Sequence, residues 1–161
     1  MEFNPYSKAD QLKGHQREKE KPKHKNRRPR KKKNPQLYRG RMIPTKKERT
    51  MITPENYNRM IEEFGEYCLM CGHPGIEAHH IVFRSQFGTG NWRNLAPLCN
   101  KCHRQAHQQA EFAQLIRDMR AERFGIHFGK DKWSLFKEGL IPNSTDEAYE
   151  RFMKREEEAN G

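Results

Sequence analysis

The sequence has no long apolar run. No stretch approaches the ~18–20 residues of a membrane span, and the first residues lack the apolar core of a secretion signal. A cytoplasmic protein without a membrane segment is therefore expected. Apolar residues are scarce overall, at 33% of 161 residues with a mean hydropathy of −1.21. That excludes one core shared by the whole chain and leaves a single small domain with solvated or unfolded extensions. Internal repeats are absent. Cysteine is limited to four residues. In a reducing compartment these are not expected to form structural disulfides, so their spacing is read first as metal chemistry.

Acidic residues are outnumbered more than three to one by basic ones in the first third of the chain. Residues 1–50 hold 18 Lys/Arg against 5 Asp/Glu, whereas the remainder holds 14 against 16, so the net charge of +11 belongs to the N-terminal arm. Its densest part, Arg17 to Lys33, has 11 basic residues in 17 positions, among them Arg27, Arg28, Arg30, Lys31, Lys32 and Lys33. Such a segment repels itself and buries nothing, which predicts disorder until it meets a polyanion. DNA or RNA fits, because each neutralised phosphate releases condensed counterions. A solvated solubility tail is the plain alternative.

What is present beyond the arm reads as an α+β domain. Thr53 can cap a helix with Pro54 at its first position and Gly65 at its end; Tyr57, Met60, Ile61 and Phe64 recur at helical spacing. "EAHHIVF", Glu77 to Phe83, reads as a short strand after the turn-like "GHPG". A Gly- and Asn-rich loop, "RSQFGTGNWRN", comes next, then one long helix from Asn100 to a stop at Gly125. The tail predicts a short helix around Trp133 to Lys137 and another begun by Ser144 with Glu147 in capping-box register, docking through Ala148, Phe152 and Met153. The expected division is a disordered basic arm over 1–49, a domain over 50–125 and a helical extension over 126–161.

Cys68-x-x-Cys71 and Cys99-x-x-Cys102 form two thiolate knuckles. Paired knuckles of this kind meet around one Zn²⁺ in a closed, structural tetrahedral site, which would staple a domain too small to be stable on its apolar interior alone. His103 and His107 lie four residues apart on the expected helix, so both imidazoles project from one face. They could hold a second metal if a third ligand arrived from elsewhere, and the strand residue His79 is the natural candidate. Neighbours on a strand point to opposite faces, so His80 cannot share that task and is left free to act as a base.

With the knuckles, "HHI" at the end of a strand, "NLAPLC" and "CHRQAH" all in place, the chain resembles the HNH endonuclease family of the His-Me finger (ββα-metal) nucleases. The resemblance spans about Cys68 to His107. It implies a ββα-metal fold in which His79 ligates a divalent metal, His80 is the general base, Asn94 pins the connecting loop and His103 is a further metal ligand. His107 corresponds to an additional ligand in the branch resembling the colicin DNases. Arg84, just after the strand, is a candidate phosphate contact.

The reading is a divalent-metal-dependent DNA endonuclease with one structural zinc and one catalytic ion among Mg²⁺, Mn²⁺, Ni²⁺, Co²⁺ and Zn²⁺. Imidazole ligands favour the later metals over Mg²⁺. The resemblance suggests a small free-standing nuclease of bacteria or their viruses. Homing, restriction and assistance to DNA packaging are roles such enzymes take, the last beside phage packaging proteins. The competing reading is a non-catalytic, zinc-stabilised nucleic-acid-binding module, which needs the four cysteines and has no use for His80.

Overall fold

The computed structural model describes residues 36–38 and 41–160, so Arg27, Arg28, Arg30 and Lys31 to Lys33 lie outside the described residues. Residues from Pro35 onward form one compact unit. It begins with strands β1 (Gln36–Tyr38) and β2 (Arg41–Ile43), paired antiparallel, followed by the short helix α1 (Lys46–Thr50). A capping box starts α1: the Glu48 amide donates to Thr45 Oγ1, and the Glu48 carboxylate accepts from the Thr45 amide at 2.7 Å. Arg49 binds Asp131 through two bonds of 2.6 and 2.7 Å and reaches Ser134 Oγ at 2.7 Å. The arm therefore ends earlier than expected. A boundary at 49 falls inside this helix, which is tied to Asp131 and Ser134.

Helix α2 (Pro54–Phe64) has the expected Thr53 cap and Pro54 start, and Gly65, at φ 82°, ends it. Two knuckle segments and a two-stranded antiparallel ribbon follow. The ribbon pairs β3 (Ile76–His80) with β4 (Leu95–Cys99), placing His79 opposite Ala96 and His80 opposite Leu95. β3 stops at His80 and does not run on to Phe83. Its partner begins only at Leu95, and beyond that point the Asn94 side chain takes over the backbone of Val82. Between the strands lie 3₁₀ turns at Arg84–Gln86 and Trp92–Asn94.

The single long helix expected after β4 is instead two, α3 (Asn100–Gln108) and α4 (Ala110–Phe124). Gln109 between them is extended (φ −120°, ψ 111°), although the stretch contains neither Gly nor Pro. The break lets α3 present Cys102, His103 and His107 to the ribbon while α4 buries Ala113, Ile116 and Phe124. Leu95, Leu98, Met60, Ile81, Ile116 and Phe124 form the main core, with Phe64, Trp92 and Phe124 meeting edge-on or tilted at 5.5–6.2 Å between ring centroids.

Helices α5 (Lys132–Lys137) and α6 (Asp146–Asn160) build a second small core from Leu135, Phe136, Ile141, Tyr149, Phe152 and Met153, with Ala148 packed against it. The docking face is as expected, but the cap is Thr145 rather than Ser144, since Thr145 Oγ1 accepts from the Ala148 amide. This tail is joined to the domain by charge. Arg93, 2% exposed, donates to Glu157 at 2.7 Å and to both oxygens of Glu150. Among the described residues no helix is long and apolar enough to cross a membrane.

Candidate active site

The four cysteine sulfurs lie within 4.8 Å of one another, with Cys71 3.6 Å from both Cys99 and Cys102. A tetrahedron of thiolates at ~2.3 Å from a central ion has sulfur–sulfur edges of about 3.8 Å, so the spacing fits a metal ion. The turn at Gly72 (φ 69°) returns the chain so that the Cys68 amide donates to the His73 carbonyl and the Gly72 amide to the Cys68 carbonyl. Burial works against the Cys68 thiolate, yet the amides of Cys99, Met70 and Cys71 outweigh it and bring the pKa down to about 6. Burial and the neighbouring sulfurs push Cys102 up. Crowded thiols of opposite tendency are what a cation resolves, by accepting all four as thiolates.

His79, His103 and His107 also converge, their ligating nitrogens within 4.8 Å of one another. Ring centroids are 4.9–5.0 Å apart for all three pairs. His79 is 2% exposed, and its buried Nδ1 has no hydrogen-bond partner, a deficit that a metal ion would fill. Burial, reinforced by repulsion from His103, His107, His80 and Arg117, drives its pKa to about 3 and holds the ring in the neutral form a metal needs. Phe83 stacks on His107 at 5.2 Å and meets His79 edge-on, walling the cluster.

His80 points the other way, as the strand alternation requires. Its Nε2 lies 2.9 Å from the Thr50 carbonyl oxygen. Because a carbonyl can only accept, Nε2 carries the proton in the neutral ring and Nδ1 keeps its lone pair. Burial is the chief cause that lowers the His80 pKa; Arg84 lowers it further, and the Thr50 carbonyl opposes both. Arg84 itself is exposed, with Nε 3.4 Å from Thr50 Oγ1.

Asn94 is fully buried and does what a loop pin must. Its Oδ1 accepts from the Val82 amide at 2.8 Å, and its Nδ2 donates to the carbonyls of Val82 (3.2 Å) and Thr89 (2.8 Å). Gly88 makes this closure possible: a Cβ there would collide with the Val82 carbonyl.

Two residues to which the sequence alone assigned no role at the site take part. Glu77 accepts from His103 Nδ1 at 2.8 Å, leaving Nε2 of that ring for the cluster. The signal was available, since Glu77 is two residues before His79 and so shares its face of the strand. Thr50, thirty residues from His80, carries no such signal.

An antiparallel ribbon whose first strand ends in His79-His80, backed by a helix bearing two further imidazoles and a thiol knuckle, defines the ββα-metal nuclease architecture. Residues 67–109 match the model of the HNH endonuclease family, so the chain carries an HNH domain, whose class is that of nucleases acting on nucleic acid. A search of curated proteins found no match.

Proposed function

We propose that the chain is a divalent-metal-dependent DNA endonuclease in which His80 is the general base, one catalytic ion is held by His79, His103 and His107, and a structural zinc is held by Cys68, Cys71, Cys99 and Cys102. One observation carries the reading: adjacent histidines are split by the strand, one into a three-imidazole cluster and the other onto a backbone carbonyl. A divalent ion held there would supply Lewis-acid polarisation of the scissile phosphate and stabilisation of charge on the leaving 3′ oxygen.

The chain's own residues supply the rest. Thr50 fixes the tautomer, so His80 Nδ1 takes a proton from the attacking water, and the depressed pKa keeps that nitrogen free at neutral pH. Glu77 orients His103, and Asn94 holds the loop that follows the base. Arg84, exposed beside Thr50, is placed to meet a phosphate oxygen. The basic arm adds residence on DNA without specifying sequence.

Nicking of supercoiled plasmid with Mg²⁺, Mn²⁺, Ni²⁺, Co²⁺ and Zn²⁺ tests this. His80→Ala should lower turnover by about 10²-fold or more while zinc content, folding and DNA binding stay close to wild type. Failure of the wild type to cut with every one of these ions would leave a non-catalytic zinc module.

A further inference from the structure

Phe87 adopts φ 65° and is the non-glycine residue with positive φ among those described. It is also 63% exposed. A left-handed phenylalanine costs backbone strain that glycine or asparagine would avoid, and an exposed ring gains little burial in return. The closure of the 84–86 turn requires a left-handed residue at this position, but not that it be an exposed aromatic one.

The segment from Phe83 to Gly88 is closed by amides of Gln86 and Gly88 donating to the Phe83 carbonyl, and of Phe87 donating to that of Arg84. Phe83 anchors one end on His107, Arg117 donates to Gln86 at 3.2 Å, and Asn94 with Gly88 locks the other end. Lys46 donates to the Ser85 carbonyl at 3.2 Å and lies 4.1 Å over the Phe87 ring. The loop that follows His80 in the chain, closed by these bonds, thus offers one exposed apolar ring under Lys46, on a segment that also carries Arg84 and is held by Arg117.

We propose that Phe87 is a wedge that inserts between adjacent base pairs of duplex DNA, unstacking one step beside the scissile phosphate while Lys46 and Arg84 meet the flanking backbone. Apolar side chains used this way kink a duplex and fix its register on the protein. The proposal rests on the DNA endonuclease reading and names how that substrate is gripped.

Full-length protein carrying His80→Ala, which binds without cutting, is titrated into duplexes labelled with 2-aminopurine at successive positions. Binding should raise the fluorescence. Adding Phe87→Ala should abolish the rise, and Phe87→Met, an apolar wedge of similar reach, should restore most of it. In the otherwise wild-type chain Phe87→Ala should weaken duplex cleavage about ten-fold. Phe87→Gly should keep or raise the melting temperature while showing the same loss, whereas a packing role would lower it.

An unchanged fluorescence rise and unchanged cleavage in Phe87→Ala would overturn the wedge and leave the nuclease standing. Equal losses on single-stranded and duplex DNA without any unstacking signal would overturn it too, assigning the ring to strand stacking. A wild type with Phe87-dependent unstacking but no cleavage would support the wedge and sink the nuclease reading alone.

Discussion

Replacing Asn94 by alanine removes three hydrogen bonds at once. The Val82 amide, the Val82 carbonyl and the Thr89 carbonyl lose their partner in a spot with no solvent exposure at the side chain. At about 1 kcal/mol per net bond the cost is about 3 kcal/mol, and more if the groups stay dry. That corresponds to roughly 10 °C in melting temperature for a folded unit of this size. Asn94→Asp sharpens the test, because it keeps the acceptor for the Val82 amide but turns a carboxylate oxygen toward two carbonyls. It should be at least as damaging as alanine, despite near-identical shape. Urea and thermal unfolding followed by circular dichroism, at saturating zinc, measure both. A loss below about 1 kcal/mol for alanine, or a wild-type aspartate variant, would refute the pin as described. On the proposed function, cleavage should fall alongside stability, since the loop held by Asn94 is the one that leaves the strand bearing His79 and His80.

Glu77→Gln should weaken divalent-ion binding at the proposed histidine site by about 10- to 100-fold while leaving metal at the four cysteines in place, as read by titration calorimetry and metal analysis; equal loss at both sites would contradict the separate roles. The lowered His80 pKa means that this ring, the proposed base, stays unprotonated at the ordinary imidazole value of about 6.5. The acid limb of kcat/KM should therefore lie below that value, and a limb at or above it would remove His80 from the role. Deleting residues 1–35 should weaken binding to any DNA and flatten its salt dependence, with an unchanged slope arguing against the arm as the electrostatic footprint. The cut must stop there, because α1 delivers the Thr50 carbonyl to His80.

Much of the site was legible because its chemistry is written in short intervals. Two C-x-x-C knuckles, the four-residue step from His103 to His107 and the opposed faces of His79 and His80 follow from residue type and element period alone. Thr53, Pro54 and Gly65 likewise bound a helix by local rules. The break at Gln109 was not legible. Its sequence favours an uninterrupted helix, and the break is where the chain passes from the Cys102, His103 and His107 side chains to those that α4 buries in the main core.

By itself, then, the sequence determined which side chains can bind metal, that His79 and His80 face opposite ways and where charge accumulates, since these depend on side-chain identity and on the fixed geometry of strand and helix; which of the two histidines joins His103 and His107 was decided by the fold. The tertiary structure alone decided that Thr50 faces His80, that Glu77 reaches His103, that Arg93 is buried between Glu150 and Glu157, and that the arm gives way to folded chain before residue 49. Each of these joins groups far apart in the chain or picks one of several reachable partners. No local preference encodes such a choice; the packing of the whole core does.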